Sequence, residues 1–284
     1  MTTPVARALE LQNGLVVQQI GGFIETRAIY QEVFVDDVYL QGGLVIPDGG
    51  VVVDVGANIG MFVLRCLEAQ KKLTIVALEP VPALFRCLED NVAAARSRGA
   101  TDDVRLENAA GGASVGEARF HFYPRATAFS TMHPLERERL SPWLLEDLLS
   151  HYPKFQKRFP LLGLLLYPFR RPLMKLIIWR RMRGAQEVVA RVRPLSDVID
   201  DNTLDRVDLL KIDVEGAELD VLRGISERHW ALIRQVALEV QDLDGRLHVI
   251  LDLLERHGFG HIACSPDVNS APDAQVRLIY ARRA

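Results

Sequence analysis

Cysteine is scarce in this chain, with three residues among 284. Cys66, Cys87 and Cys264 are widely separated and form no C-x-x-C pair, which excludes a disulfide framework and a zinc site built on thiolates. Cys66 and Cys87 fall within helical patterns, where cysteine usually serves as a small buried side chain. The absence of disulfides favours a reducing compartment, so we predict a cytoplasmic protein.

Long apolar runs and a strong net charge are also missing. The longest apolar run, Leu161–Tyr167, is far shorter than the ~20 residues of a membrane span. Met1–Asn13 lacks the basic and apolar regions of a signal peptide. The formal net charge of −3 points to no particular partner. These absences leave an ordinary globular protein.

Short apolar runs alternate with helical patterns, which predicts an α/β fold with a mostly parallel sheet. The predicted strands lie at 51–55, 73–78, 104–108, 118–123, 207–213, 236–240, near 261 and at 276–280. Two strands follow the last long helix, predicted over 246–257, and suggest an antiparallel partner at the C-terminus. This arrangement is the Rossmann-like sheet expected of a class I methyltransferase.

The chain divides into three predicted parts. Residues 1–50 form an extension with a short strand pair around Gly21–Gly22 and a helix over 26–34. Residues 51–131 and 187–284 form the core, and residues 132–186 form a helical insertion. From Leu148 to Gln186 the insertion carries nine of the 34 Lys and Arg residues and none of the 37 Asp and Glu residues. We interpret it as a basic, apolar lid over the site, or as a cap with a solvated basic face.

A Gly-rich turn follows the first buried strand and reads D-x-G-x-N-x-G from Asp54 to Gly60. Its glycines permit close approach of a ligand, whose carboxylate can meet the N-terminus of the next helix. The acid at position 54 would repel a pyrophosphate, whereas the dinucleotide fingerprint is G-x-G-x-x-G. S-adenosylmethionine has an amine, a carboxylate and a sulfonium but no phosphate. The predicted cofactor residues in this turn are Asp54, Gly56, Ala57, Asn58 and Gly60.

Two further strand ends supply candidate cofactor residues. Glu79 ends the second strand, 25 residues after Asp54, where its carboxylate can accept both hydroxyl protons of a ribose. The same placement would serve NAD, so Glu79 indicates a nucleoside without choosing between the two ligands. Asn108 ends the third strand and either presents its amide to an adenine edge or forms a turn.

A second polar cluster, Lys211–Gly216, ends the strand predicted over 207–213. Asp213 and Glu215 follow Lys211 on one face, and Glu239 ends the neighbouring strand. These three carboxylates are the predicted catalytic or acceptor-binding groups, as a general base or as ligands of a divalent cation. A structural ion-pair cluster with Lys211 is the alternative. No metal site is predicted.

Histidine is the other candidate base. His133 stands at the start of the insertion, where its side chain can enter the pocket, and it is predicted as catalytic. His121 and His261 lie in strand patterns and are interpreted as structural. His248, on the last long helix, is less suited to reach the site.

The motifs taken together resemble the FkbM family of S-adenosylmethionine-dependent methyltransferases over nearly the whole chain. The resemblance rests on Asp54–Gly60, Glu79–Pro80 and Lys211–Glu218, of which the last is the most specific. Four further matches are similar to members found beside polyketide and nonribosomal peptide assembly lines: residues 25–27, residues 32–34, residues 122–124 with Ser130, and residues 239–246. The sequence departs from these members at Gln241, where a histidine is frequent, and this weakens a base or metal-ligand role at that position.

The resemblance implies O-methylation of a hydroxyl, or in some members a carboxylate, on a natural product or sugar. It assigns Asp54, Gly56, Asn58, Gly60, Glu79 and Asn108 to the cofactor, with Asp213 and Glu215 at the acceptor end. An NAD-dependent oxidoreductase and a non-catalytic binding module are the alternatives. The predicted partner is a small molecule or an acceptor tethered to a carrier protein. Neither nucleic acid nor a membrane surface is predicted as a partner, and no oligomeric state is predicted.

Overall fold

The computed structural model describes residues 5–69, 71–127, 159–182, 184–242, 244–266 and 276–283, together with 130, 145, 149, 156 and 157. The strands are β1 Arg7–Glu10, β2 Val16–Gln19, β3 Val51–Val55, β4 Thr74–Leu78, β5 Asp103–Glu107, β6 Ala110–Gly111, β7 Gly116–Phe122, β8 Gln186–Arg193, β9 Leu209–Ile212, β10 Gln235–Gln241, β11 His261–Pro266 and β12 Val276–Arg282. The α-helices are α1 Phe23–Tyr30, α2 Met61–Glu68, α3 Pro82–Ser97, α4 Pro160–Leu166, α5 Arg170–Met182, α6 Leu195–Asp201, α7 Glu218–Arg223, α8 Glu227–Trp230 and α9 Arg246–Arg256.

The central sheet has seven strands in the order β11-β12-β10-β9-β3-β4-β5. All neighbours from β10 to β5 run parallel, whereas β12 is antiparallel to both β10 and β11. The predicted antiparallel C-terminal partner is therefore confirmed. The chain moves outward from β3 in one direction to β4 and β5 and later returns on the other side of β3 to β9. Such a reversal places a ligand crevice at the carboxyl ends of β3 and β9.

Helices cover both faces of this sheet. Alternate residues of a strand point to opposite faces, so each buried strand contributes side chains to both layers of packing. Val52 packs on one side with α2, α3 and the N-terminal extension. Val53, its neighbour, packs on the other side with α6, α7, α8 and α9. Asp54 and Lys211 are register partners on adjacent strands β3 and β9, and both follow the pattern of the first side. Asp54 and Lys211 therefore lie on the face of the sheet that the N-terminal extension covers.

A second, three-stranded sheet has the order β6-β8-β7, with β7 antiparallel to β8. The strand predicted over 118–123 is confirmed as β7. Strand β8, which begins at Gln186, was not predicted. Its inner face, Val188, Ala190 and Val192, alternates with the exposed residues 187, 189 and 191, and this pattern is weaker than the continuous apolar run of a buried parallel strand.

The predicted strand pair of the extension was placed wrongly. The hairpin formed by β1 and β2 closes around Gly14, whose φ of +81° allows the turn, and not around Gly21–Gly22. Gly22 instead stands at the N-terminus of α1. The predicted helix over 26–34 is confirmed, with a change of pitch: α1 continues as a π-helix over Gln31–Val35.

The described part of the insertion contains the two helices α4 and α5. α4 and α5 are joined by a 3-10 turn over Tyr167–Phe169. Their surface exposes large apolar side chains: Leu164, Leu165, Phe169, Leu176 and Trp179. The predicted helical character is confirmed for this segment, while its role as a lid stays a prediction. None of the described helices is long and apolar enough to cross a membrane.

Candidate active site

The backbone N–H groups of the Gly-rich turn between β3 and α2 donate hydrogen bonds to acceptors within the protein. Every N–H from residue 56 to residue 60 donates a hydrogen bond inside the protein: Gly56 and Ala57 to Leu78 O, Asn58 to Glu79 Oε2, Ile59 to Asn58 Oδ1 and Gly60 to Ala57 O. These N–H groups already have acceptors within the chain, and contact of the turn with a ligand stays a prediction.

Gly56 has a packing role that the sequence did not indicate. Its φ is +82°, and a Cβ at this position would lie 1.9 Å from the carbonyl oxygen of Asp213. The missing side chain thus makes room for the end of β9, and a cofactor role for Gly56 stays a prediction. Gly60, with φ of +89°, faces Leu88, whose Cδ1 would lie 2.5 Å from an added Cβ.

We expect Gly56→Ala to lower the free energy of unfolding by about 2–3 kcal/mol. A left-handed conformation costs a side chain about 1–2 kcal/mol, and the collision with a backbone oxygen adds overpacking. Gly60→Ala is the matched control and should cost only about 1–2 kcal/mol, since the end of a leucine side chain can move. Urea denaturation of both variants measures the difference, and equal losses would contradict the packing role.

Asp54 and Lys211 form a buried ion pair beneath the turn. Lys211 Nζ lies 3.0 Å from Asp54 Oδ1, donates to Gly56 O at 3.0 Å and lies 3.6 Å from Asp213 Oδ2. The side chains of Asp54 and Lys211 are 0% and 4% exposed. Burial raises the pKa of Asp54, whereas the pKa of Lys211 is raised because the nearby carboxylates outweigh its desolvation. The ammonium is therefore kept.

The acid at position 54 is fully buried beside Lys211, and its carboxylate does not reach the surface of the turn. Lys211 also offsets its charge, and repulsion of a pyrophosphate is no longer the reason to disfavour a dinucleotide. A cofactor role for Asp54 stays a prediction.

Glu79 closes the turn from the end of β4. Its two oxygens accept hydrogen bonds from Asn58 N at 2.9 Å and Val81 N at 2.8 Å. Burial raises the pKa of Glu79 to about 7, although both backbone donors act in the opposite direction. Asn108 donates through Nδ2 to the carbonyls of Glu79 and Pro80 and is itself exposed. The turn-forming alternative for Asn108 thus describes its contacts, and a role toward adenine stays a prediction.

Each polar residue of the Lys211–Glu218 segment contacts a different element. Asp213 accepts a hydrogen bond from the Tyr39 hydroxyl at 2.8 Å, and Glu215 accepts one from Gln241 at 2.5 Å. Glu218 accepts from Gly216 N at 2.6 Å and pairs with Arg246 at 3.3 Å, while burial raises its pKa to about 7. The segment therefore joins β9 to the N-terminal extension, to β10 and to α9.

The three predicted carboxylates do not form a metal site. Asp213 and Glu215 have the separate partners just described, and Glu239 lies on β10. Among the residues that the structure describes, no three His, Cys, Asp or Glu side chains are grouped to hold a metal ion. The hypothesis that these carboxylates converge on one cation is therefore wrong for this arrangement. Asp213 remains the candidate base, with 28% of its side chain exposed.

Three of the four candidate histidines lie in the part of the chain that the structure describes. His121 lies on β7 and His261 on β11, as their strand patterns predicted. His248 is 83% exposed and lies 3.6 Å from Asp252 on the same helix. His133 lies outside the described residues, so its predicted catalytic role stays a prediction.

Comparison with known proteins assigns the chain to a family. The family described as "Methyltransferase FkbM domain" matches residues 54–260, which include the turn, Glu79, Asn108 and the Lys211–Glu218 segment. The chain belongs to the FkbM methyltransferase family. It is thus a methyltransferase, and this match overturns the dehydrogenase alternative.

Individual relatives agree with the family match. The chain is 34% identical to "31-O-demethyl-FK506 methyltransferase FkbM" of Streptomyces tacrolimicus, covering 91% of each chain. It is 36% identical to part of "AMB antimetabolite synthetase AmbE" of Pseudomonas aeruginosa, covering 83% of this chain but 11% of that protein. The crystal structure of methyltransferase FkbM from Methylobacillus flagellatus shares the fold, with a TM-score of 0.51 and 15% identity, covering 89% of this chain and 47% of that one.

Proposed function

We propose that this protein transfers a methyl group from S-adenosylmethionine to an oxygen of a natural-product intermediate. The observation that carries the proposal is the placement of Asp213 at the carboxyl end of β9, next to the turn after β3. Its carboxylate is partly exposed there, and it lies where ligands bind in sheets of this kind. A carboxylate in this position can take the proton of an acceptor hydroxyl.

The residues present fit S-adenosylmethionine better than a dinucleotide. When bound, that cofactor supplies an electrophilic methyl group on a sulfonium and brings no phosphate. Glu79 retains acceptor capacity on both oxygens after its two backbone hydrogen bonds and would hold the ribose hydroxyls. Lys211 keeps the charge of Asp54 neutralised beneath the turn. Transfer then requires mainly that the acceptor is aligned and deprotonated.

The acceptor class rests on the relatives. The name of the Streptomyces relative specifies an O-demethyl acceptor, which supports an oxygen as the methylated atom. The Pseudomonas relative is a synthetase in which the similar segment is a small part, which supports an acceptor made by a biosynthetic assembly system. We therefore propose a hydroxyl, or a carboxyl, on a secondary metabolite that is free or tethered to a carrier protein.

Calorimetric titration and a labelled-methyl assay together test this proposal. We expect S-adenosylhomocysteine to bind and NAD to give no heat. Label from S-adenosylmethionine should then pass to hydroxyl acceptors, and alkaline treatment separates the two products because methyl esters lose the label and ethers keep it. Cofactor binding without transfer to any hydroxyl or carboxyl acceptor, free or carrier-bound, would leave the non-catalytic binding module as the better explanation.

The insertion supports a carrier-bound acceptor. Exposed Leu165, Phe169 and Trp179 accompany Arg171 and Lys175 on α4 and α5, and this combination suits an acidic protein surface. Arg171→Glu with Lys175→Glu should raise KM for a carrier-tethered acceptor about tenfold and leave KM for the free acceptor unchanged. Equal changes for both acceptors would contradict docking. Loss of binding to anionic vesicles would instead indicate a membrane surface.

The raised pKa of Glu79 predicts that the affinity for the cofactor depends on pH. Ribose hydroxyls donate to the carboxylate form, so binding competes with the proton that a pKa of about 7 retains. We expect the Kd of S-adenosylhomocysteine to be roughly tenfold higher at pH 6 than at pH 8. Glu79→Gln should bind more weakly at both values without this dependence.

The same carboxylate should affect the stability of the unliganded protein in the opposite direction. Because its pKa is raised from 4.5 to about 7 on folding, its contribution is present below pH 4.5 and is lost as the pH rises through 7. A difference in thermal stability between the wild type and Glu79→Gln that does not change between pH 5 and pH 8 would contradict the assignment.

A further inference from the structure

Tyr39 belongs to the acceptor side of the site although no motif marked it. It lies in a one-turn 3-10 helix, Val38–Leu40, of the N-terminal extension, and 6% of the residue is exposed. Its hydroxyl donates to Asp213 Oδ2 at 2.8 Å across 174 residues of sequence. Its ring lies 5.0 Å from Lys211 Nζ. One side chain from outside the family match therefore touches both charged residues at the end of β9.

The position of Tyr39 is fixed on several sides. Asp37, just before the 3-10 helix, has a left-handed backbone with φ of +50° and pairs with Arg65 of α2 at 3.2 Å. The carbonyl of Val38 accepts a hydrogen bond from the Tyr280 hydroxyl at 2.7 Å. The Tyr39 ring meets Phe62 edge to face, with centroids 5.5 Å apart. These contacts hold the phenol in place independently of Asp213.

The contacts with Asp213 are asymmetric. Within the part of the chain that the structure describes, both Tyr39 and Lys211 meet Oδ2 of this carboxylate. Oδ1 is thus the oxygen left for an acceptor. Burial, followed by the charges of Asp213, Glu239 and Glu32, raises the pKa of Tyr39 well above 10, so its phenol stays protonated and acts as a donor.

We propose that Tyr39 is a positioning residue for methyl transfer, which holds Oδ2 of Asp213 so that Oδ1 faces the acceptor hydroxyl. The inference rests on the proposed O-methyl transfer. In that step the acceptor O–H gives its proton to Oδ1 and an oxygen lone pair forms the new O–CH₃ bond. The C–S bond breaks and its electron pair stays on sulfur, which becomes a neutral thioether. Tyr39 and Lys211 fix the carboxylate and exchange no proton.

Tyr39→Phe in the full chain tests the proposal, because it keeps the ring and removes one hydrogen bond to a carboxylate. We expect kcat to fall about tenfold, while the Kd of S-adenosylhomocysteine and KM of the acceptor change less than twofold. Tyr30→Phe is the matched control: Tyr30 is equally buried and stacks on Phe34 away from Asp213.

Wild-type transfer is measured first, so failure of the proposed function is recognised before any variant is compared. In a competent enzyme, a Tyr39→Phe variant whose kcat matches that of the wild type would overturn the role of Tyr39. Equal losses in Tyr39→Phe and Tyr30→Phe, accompanied by equal losses in thermal stability, would also overturn it, because they would indicate a merely structural role.

Discussion

Asp213→Asn is expected to lower kcat by about 10³-fold, within the range that a general base contributes. The amide has nearly the same shape and still offers an oxygen to Tyr39 and Lys211, so the end of β9 should keep its geometry. It cannot take a proton from the acceptor. The Kd of S-adenosylhomocysteine should therefore change less than threefold, which single-turnover assays and calorimetry on the same sample measure.

Asp220→Asn provides a matched control for this substitution. Asp220 stands seven residues later on α7, is 42% exposed and pairs only loosely with Arg223 at 3.6 Å. The kcat of Asp220→Asn should remain within twofold of the wild-type value. Retention of more than a tenth of the wild-type kcat in Asp213→Asn would remove Asp213 as the base and direct attention to Glu215 or Glu239.

Lys211→Met is expected to lower the free energy of unfolding by about 3–5 kcal/mol, the usual result of leaving a buried charge unpaired. Asp54 would keep a fully buried carboxylate whose ammonium partner at 3.0 Å is gone. The Gly56 carbonyl would lose its donor as well. Since protonation of Asp54 relieves the unpaired charge, the loss should be smaller at pH 5 than at pH 8. Urea denaturation at the two pH values checks this.

A double variant separates the pair from its surroundings. Lys211→Met combined with Asp54→Asn removes both charges, and the coupling energy between the two positions should reach about 1–3 kcal/mol. Lys72→Met, at an exposed position, should stay within about 0.5 kcal/mol of the wild type. Additive losses at positions 54 and 211 would contradict the ion pair.

Local patterns in the sequence predicted most of the central sheet. Buried parallel strands such as β3 have apolar runs that stand out, and the two strands after α9 correctly indicated the antiparallel partner. Strand β8 was missed because its partly buried residues alternate with exposed ones and form no such run. The hairpin was misplaced because both Gly14 and Gly21–Gly22 permit a turn, and the sequence pattern alone favoured the second position.

The site was predictable as a set of strand ends but not as a set of contacts. Asp54, Glu79 and Asp213 were identified by their positions, and the structure brings them to one edge of the sheet. The pairing of Asp54 with Lys211 follows from the register of β3 and β9, which a single sequence does not specify. Tyr39 has no motif, because its role depends on a hydrogen bond across 174 residues.

The hydrogen bond from Tyr280 to Val38 spans 242 residues and joins the last strand of the sheet to the segment before the first. Contacts of such separation form late in folding, because a long loop must close before they are gained. The segment that carries Tyr39 therefore gains this hydrogen bond only after β12 has entered the sheet. A chain that has not yet added its last strand lacks one of the contacts that hold the phenol beside Asp213.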